Sequence, residues 1–141
     1  MAACAFCEIG SGRAGAPVVL DEPEVIAFLD VRPLFVGHVL VVPRAHHETL
    51  PDLPGSLLPI LFDAVQRLSA ALPVALGAQG SFVAANNSGS QSVPHLHVHV
   101  VPRTKGDGLR GFFWPRTRYE SDEHAAATAA RIRAALAGPA K

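Results

Sequence analysis

The sequence is short of several features, and each shortage argues against a class of protein. It has 2 cysteines in 141 residues, and in a reducing compartment such a pair is expected as thiols or metal ligands rather than as a disulfide. Its 12 Lys and Arg residues are balanced by 12 Asp and Glu residues. The chain therefore lacks the net positive charge with which a generic DNA-binding protein neutralises phosphates.

Long apolar segments are also missing. No uninterrupted apolar run approaches the ~20 residues of a membrane helix. The first residues, MAACAFCEIG, lack the basic region and the long apolar segment of a signal peptide. We therefore expect a cytoplasmic protein that has neither a membrane nor a nucleic acid as its partner.

The composition that remains is typical of a folded domain. Hydrophobic residues make up 49% of the chain and charged residues 17%, which argues against disorder. A chain of 141 residues is long enough to bury a core, and it shows neither an internal repeat nor a linker. We expect one domain spanning residues 1–141.

Hydrophobic patterns predict five strands and two helices. The predicted strands are residues 18–20, 24–30, 37–44, 80–87 and 95–101, and the predicted helices lie between Gly55 and Gly77 and over residues 121–136. Ser121 is the expected N-cap of the second helix. Most connections between the strands are too short for parallel crossovers, which indicates an antiparallel α+β fold.

The stretch PHLHVHVVPR alternates three histidines with three apolar residues. The histidines are His95, His97 and His99, and the apolar residues are Leu96, Val98 and Val100. Because alternate residues of a strand point to the same face, we expect a row of imidazoles opposite a face in the core. Pro94 and Pro102 are expected to bound this strand, since proline is poorly tolerated inside an interior strand.

A row of imidazoles next to a polar loop is suited to chemistry at phosphorus. Uncharged imidazole is a good nucleophile, and its charged form is a good proton donor. In the preceding loop, NNSGSQS, backbone N–H groups and the Ser92 hydroxyl can hold the oxygens of an anionic phosphorus centre. A metal site formed by the three histidines and a purely structural row are the alternatives.

Longer motifs resemble the histidine triad (HIT) superfamily. HLHVHVV fits the signature His-φ-His-φ-His-φ-φ, where φ is hydrophobic, and FLDVRPLFVGHVLVVPRAH is similar to the family pattern FxDxxPxxxGHxLVxPKxH. The resemblance covers residues 4–103 and leaves 104–141 as a C-terminal extension. It implies a five-stranded antiparallel sheet with a long helix packed on it, a homodimer, and nucleotidyl transfer or hydrolysis at an α-phosphate through a covalent nucleotidyl-histidine.

The resemblance also implies a role for individual residues. His97 is the implied nucleophile, His99 the donor to the leaving group, and His38 a partner that supports the nucleophile by hydrogen bonding. Charged His99 together with uncharged His97 predicts a bell-shaped rate profile near neutral pH. The implied nucleotide contacts are Phe28 and Val31 at the base (unless they belong to the core), Asp30 at the ribose hydroxyls, Asn86 near the nucleotide, and Gln91 and Ser92 at the phosphate. One departure from the family pattern is Ser90, which stands where glycine is usual.

The N-terminal CAFC is a CxxC pair, which supplies only two of the four ligands that a zinc site needs. The resemblance implies that Cys4 and Cys7 bind a structural zinc together with His46 and His95, with His47 as a substitute for His46. Thiols without metal are the alternative, and no organic cofactor is expected.

Residues 103–119 are basic and aromatic, and they are expected to form a rim over the nucleotide site. Single-stranded RNA binding and dimer or core packing are the alternatives for this segment. We expect a purine nucleotide conjugate as substrate, either a dinucleoside polyphosphate or a nucleoside phosphoramidate. The sequence does not separate hydrolysis from phosphorolysis. A non-catalytic nucleotide-binding module and a zinc store or sensor are the other functional classes.

Overall fold

The computed structural model describes residues 3–110 and 116–138. Two compact units are present, Met1–Asp107 and Gly108–Lys141, and they are described separately. The boundary lies close to the predicted start of the C-terminal extension.

The first unit contains a five-stranded antiparallel sheet, as predicted. Its elements are α1 (Ala5–Gly10), β1 (Val18–Asp21), β2 (Val25–Leu29), β3 (Val39–Pro43), α2 (Leu58–Leu76), β4 (Gly80–Ala84) and β5 (Val98–Arg103), with 3-10 turns at Leu50–Asp52 and Gly55–Leu57. The strand order is β1-β2-β3-β5-β4. In this order β3 is the central strand and β5 lies next to it. Every neighbouring pair is antiparallel.

The two faces of the sheet belong to two apolar cores. The larger core joins α2 to the sheet, and it includes Leu96, Val98 and Val100, which the alternation had placed there. The smaller core lies on the opposite face, because alternate strand residues point in opposite directions. Its buried members are Phe6, Ile26, Phe28, Leu40 and Val42. The histidine row therefore shares its face with the smaller core.

Helix α2 is the long helix of the fold. Proline occupies its first turn, where a missing N–H does least harm, and Gly77 ends it in the left-handed region at φ 68°. By length and composition alone, residues Gly55–Leu76 would suffice to cross a membrane. Asp63 and Arg67 interrupt the apolar run, and one face of the helix packs on the sheet through Leu61, Ala64, Val65, Leu68 and Leu72.

Strand β5 begins and ends later than the sequence predicted. It starts at Val98, and His95 and His97 lie in the segment that leads into it, where Leu96 N–H donates to the His47 carbonyl at 2.7 Å. Pro102, expected to stop the strand, lies inside it. The backbone nitrogen of residue 102 points toward β3, and the pairing of β5 with β3 ends at Val100. The N–H that proline lacks would therefore have no partner in β3, and no hydrogen bond of the sheet is lost.

Helix α1 was not predicted. It has six residues, too few to show a helical repeat, and its N-cap Cys4 makes no side-chain capping bond. Tertiary contacts hold it instead: Phe6 is buried, and the Arg44 guanidinium donates to the Gly10 carbonyl at the helix end. The same guanidinium donates to the Glu22 carbonyl at 2.7 Å, which ties α1 to the β1–β2 turn.

The second unit contains helix α3 (Asp122–Leu136). Its predicted cap is confirmed, since the Ser121 hydroxyl accepts from the His124 N–H at 3.0 Å. The aromatic part of the predicted rim, Phe112 to Trp114, lies outside the described residues. At the start of that segment, Arg103 forms an ion pair with Asp107 at 2.7 Å.

Candidate functional site

The three histidines of the row do not share one environment. His95 and His97 are buried, and His99 is partly exposed. The ring centroids of His97 and His99 are 5.0 Å apart, whereas His95 turns its ring toward His46, at 5.0 Å. The row therefore divides between two sites.

One hydrogen bond fixes the orientation of His97. Its Nδ1 lies 2.8 Å from the carbonyl oxygen of His95. A carbonyl oxygen only accepts, so Nδ1 carries the proton and Nε2 keeps its lone pair in the neutral ring. His97 also lines an open cavity. In this tautomer, Nε2 is the nitrogen with the lone pair that nucleophilic attack requires.

A second chain of hydrogen bonds fixes His38 and His99. The Leu34 N–H donates to His38 Nδ1 at 3.0 Å, so His38 carries its proton on Nε2. That nitrogen lies 2.9 Å from His99 Nδ1, which accepts, and the proton of neutral His99 is left on Nε2. Asp30 Oδ2 is 3.7 Å from His38 Nε2 and completes the group.

The partner of His38 differs from the one that the sequence predicted. We expected a hydrogen bond to the nucleophile His97, and the bond goes to His99. The strand register explains this, because Leu40 of β3 pairs with His99 of β5, and His38 lies two residues before Leu40 on the same face. His97 precedes the first paired residue of β5, Val98, and is therefore farther from His38 along the sheet.

Burial keeps these rings uncharged. Desolvation, reinforced by the neighbouring His97 and His38, lowers the pKa of His99 to about 4, although Asp30 acts in the opposite direction. Burial also lowers the pKa of His38, again against the effect of Asp30. The free protein therefore holds His99 neutral near pH 7. The charge expected on His99 has to arise after an anionic substrate arrives and favours the protonated form.

The cavity beside these histidines has a volume of about 370 Å³. It brings the predicted nucleophile His97 together with most of the predicted nucleotide contacts, namely Phe28, Asp30, Val31, Ser92 and His99. Sequence reasoning missed the wall formed by Ala5, Phe6 and Ile9. Only the helical spacing of these α1 residues could have indicated it, and the helix is too short for that spacing to stand out.

Two predicted contacts serve the loop instead of lining the cavity. The Gln91 side chain donates to the Glu48 carbonyl at 2.5 Å and accepts from the Ser88 N–H at 2.9 Å. The Asn86 amide donates to the Ser90 carbonyl at 3.3 Å. Ser88 and Ser90 both have positive φ, 67° and 59°. Ser90 thus adopts a backbone conformation that favours the glycine usual there.

A second group of donors lies around His95. The Sγ and ring nitrogen atoms of Cys4, Cys7, His46 and His95 all lie within 4.8 Å of one another. The His95 Nδ1 is 3.4 Å from Cys4 Sγ and 3.5 Å from Cys7 Sγ. His95 Nε2 lies 2.7 Å from the Pro43 carbonyl and donates to it, so Nδ1 offers a lone pair to the two sulfur atoms.

The donor set around His95 fits a tetrahedral metal. A zinc ion bonded to sulfur at about 2.3 Å and to nitrogen at about 2.0 Å holds the two donors about 3.5 Å apart. The observed separations match that edge, and the bond from His95 to a carbonyl is the usual outer support of a metal-bound imidazole. Of the two predicted candidates, His46 joins the group, at 3.4 Å from Cys7 Sγ, and His47 does not.

The pKa of His99 predicts a loss of stability in acid. Its ordinary pKa is 6.5, so below that pH the unfolded chain takes up a proton that the folded chain refuses until about pH 4. The contribution of His99 to the free energy of unfolding is therefore complete above pH 6.5 and declines as the pH falls toward 4. With a discount for the partial exposure of the ring, this loss of stability amounts to roughly 1–2 kcal/mol.

Urea unfolding between pH 7.5 and 4.5 measures this contribution. His99→Asn keeps an acceptor for His38 and removes the titrating ring, so its free energy of unfolding should fall less with acid than that of the natural protein. The exposed His124→Asn should follow the natural protein. Equal slopes for all three proteins would show that His99 titrates alike in the folded and unfolded chains.

The comparisons with known proteins agree with this geometry. The sequence profile of the HIT domain matches residues 12–106. A HIT-like protein of Methanocaldococcus jannaschii is 38% identical, over 74% of this chain and 82% of the relative. An adenylylsulfatase of Arabidopsis thaliana is 31% identical over 75% of this chain and 55% of its own length. An adenosine 5'-monophosphoramidase of Candida albicans is 27% identical over 86% and 84%.

Solved structures show the same likeness. A HIT family member from Bacillus subtilis superposes with a TM-score of 0.87 at 30% identity, covering 98% of this chain and 100% of that chain. A zinc-bound histidine triad family protein from Mycobacterium smegmatis has a TM-score of 0.73 at 35% identity, covering 94% and 97%. From the profile match and the identity to its relatives, this chain belongs to the HIT domain family.

Proposed function

We propose that this protein is a hydrolase or transferase that acts at the α-phosphate of a purine nucleotide conjugate. The observation that carries the proposal is the hydrogen bond that leaves Nε2 of neutral His97 unprotonated, in a residue that lines the same cavity as Asp30 and Ser92. Two relatives support it, since the family includes an adenylylsulfatase and an adenosine 5'-monophosphoramidase.

The walls of the cavity divide its surface into an apolar and a polar part. Phe6, Ile9 and Phe28 supply apolar surface for a purine base. Asp30 uses one carboxylate oxygen to accept from the Arg32 N–H at 2.9 Å and has lone pairs left for the ribose hydroxyls. Ser92 is the hydroxyl available to a phosphate oxygen.

In the first step His97 Nε2 attacks the α-phosphorus. A phosphorus–nitrogen bond forms, and the bond from phosphorus to the leaving group breaks with its electron pair on that group. The substrate anion raises the pKa of His99, and the imidazolium gives its Nε2 proton to the leaving group. Before His99 is charged, His38 donates to its Nδ1 and holds the ring in place. In the imidazolium, Nδ1 carries a proton taken from solvent, so the bond from His38 is released while the Nε2 proton is transferred.

In the second step a water molecule attacks the same phosphorus. It forms a phosphorus–oxygen bond, breaks the bond to His97, and loses a proton to His99. The products are the nucleoside monophosphate and regenerated imidazoles. An acceptor other than water in this step makes the same site a transferase or a phosphorylase.

Trapping the intermediate tests this mechanism. After brief mixing with adenylyl sulfate, adenosine phosphoramidate or a diadenosine polyphosphate, quenched protein should show the mass gain of one adenylyl group, located on His97. His97→Ala should lose the adduct and at least about 10³-fold in turnover. His47→Ala is the matched control and should keep both. Tight AMP binding without adduct or turnover on any of the three substrates would favour the non-catalytic module.

We also propose that Cys4, Cys7, His46 and His95 hold a structural zinc ion. The fit of their donor atoms to a tetrahedral site supports this, as does the zinc-bound relative. Zinc bound there would cross-link the N-terminal helix to the segment that leads into β5. The other donor group, Asp30, His38 and His99, fits zinc less well. Two of its nitrogens are 2.9 Å apart, which is a hydrogen bond and shorter than the about 3.3 Å between two nitrogen ligands of zinc.

Metal analysis separates the two groups. The natural protein, purified without chelator, should contain one zinc ion per chain. His46→Ala removes a ligand and should lower zinc affinity by about 100-fold or more, whereas the neighbouring His47→Ala and the cavity variant His97→Ala should keep the full zinc content. Loss of zinc in His97→Ala with retention in His46→Ala would place the metal at the histidine row and contradict the proposal.

A homodimer in the cytoplasm completes the proposal. Strand β4 is an edge of the sheet, and an edge strand is where a second copy can add a strand of its own. Val83 on this strand is an exposed apolar side chain, which favours burial against a partner. Cys4 and Cys7 lie within reach of two imidazoles, and a cysteine pair placed to bind a metal is typical of a reducing compartment.

A further inference from the structure

Phe6 lies between the two proposed sites. In the chain it stands between Cys4 and Cys7, and its side chain is buried in the smaller core. Its ring meets His97 edge-on, with centroids 5.1 Å apart and planes at 81°. It meets His95 at 5.9 Å and 75°. A single aromatic ring thus touches the proposed nucleophile, touches a proposed metal ligand and lines the nucleotide cavity.

The metal group and the nucleophile are joined by two routes. One is the backbone, since the carbonyl of His95 accepts from His97 Nδ1. The other is Phe6, which is carried by the same short helix as Cys7. A six-residue helix is not stable alone, so the position of this ring depends on what anchors α1 at each end. Arg44 anchors the C-terminal end, and the cysteines are placed to anchor the N-terminal end.

We propose that Phe6 is a positioning residue that couples metal binding at the cysteine–histidine group to nucleotide binding beside His97. With the metal bound, α1 is fixed and Phe6 presses its ring edge on the imidazole and closes the cavity wall. Without the metal, the N-terminal part of α1 is held only by the burial of Phe6, so the ring is fixed less firmly against the cavity wall and His97. This inference rests on the proposed function, because the nucleotide is the ligand whose affinity reports the coupling.

The coupling is measured with AMP as the nucleotide and zinc as the metal. AMP dissociation constants are determined by calorimetry for the zinc-loaded protein and for protein stripped with a chelator, with circular dichroism to follow the fold. Zinc dissociation constants are determined by chelator competition with and without saturating AMP. Zinc should tighten AMP binding at least about 5-fold, and AMP should tighten zinc binding by the same factor, since binding linkage is reciprocal.

Two matched variants test whether Phe6 carries the coupling. Phe6→Leu should weaken AMP binding and bring both ratios close to one. Val31→Ala removes apolar surface from the same cavity at an exposed position after β2, which holds no proposed metal ligand, so it should weaken AMP binding and keep both ratios. If stripped protein unfolds, AMP and zinc are coupled through global folding, and both variants keep the ratio. That result, or equal AMP affinity with and without zinc in the natural protein, overturns the inference.

A nucleotide-independent readout separates failure of the inference from failure of the proposed function. The Phe6 ring displaces the NMR signals of the His97 imidazole C–H groups by its ring current. At fixed pH, zinc removal should shift these signals strongly in the natural protein and in Val31→Ala, and much less in Phe6→Leu, where only the backbone route through His95 remains. If no protein binds AMP and this pattern appears, the proposed function fails and the positioning role stands. If AMP binds and the His97 signals ignore zinc, the positioning role fails.

Discussion

The site depends on a hydrogen bond between two residues of one short segment. Because the His95 carbonyl accepts from His97 Nδ1, the lone pair of the neutral ring is left on Nε2. His95 is held in turn by the Pro43 carbonyl on one nitrogen, and its other nitrogen faces two thiols. A strand end, a donor group suited to a metal and a proposed nucleophile are therefore connected through a single imidazole and its backbone.

Burial gives these imidazoles their chemical character. Burying a polar ring is costly unless each nitrogen finds a partner, and in the described part of the chain every buried side-chain nitrogen and oxygen has one. The same burial lowers the pKa of His38, His95 and His99, each mainly through desolvation. Neutral rings with assigned protons are what hydrogen-bond relays and metal ligation both require.

Much of this arrangement could be predicted from the sequence. The alternation of histidines and apolar residues in LHVHVV distinguishes the side chains of the core from those of the site. The strands around Val39 and Phe28 are apolar enough to be identified. The features that the sequence did not predict correctly depend on tertiary contacts. Helix α1 forms only because Phe6 is buried and Arg44 holds its end. The partner of His38 follows from strand register, which residue spacing does not encode. Gln91 turns to the Ser88 N–H of its own loop and to the Glu48 carbonyl of another, because these backbone groups need partners.

The protonation of His97 is the central claim, and nitrogen-15 NMR of the histidine side chains tests it most directly. At pH 7.5, in the zinc-loaded protein without nucleotide, the spectrum should show His97 protonated on Nδ1 and unprotonated on Nε2. A proton found on Nε2 would leave no lone pair for attack on phosphorus and would contradict the account.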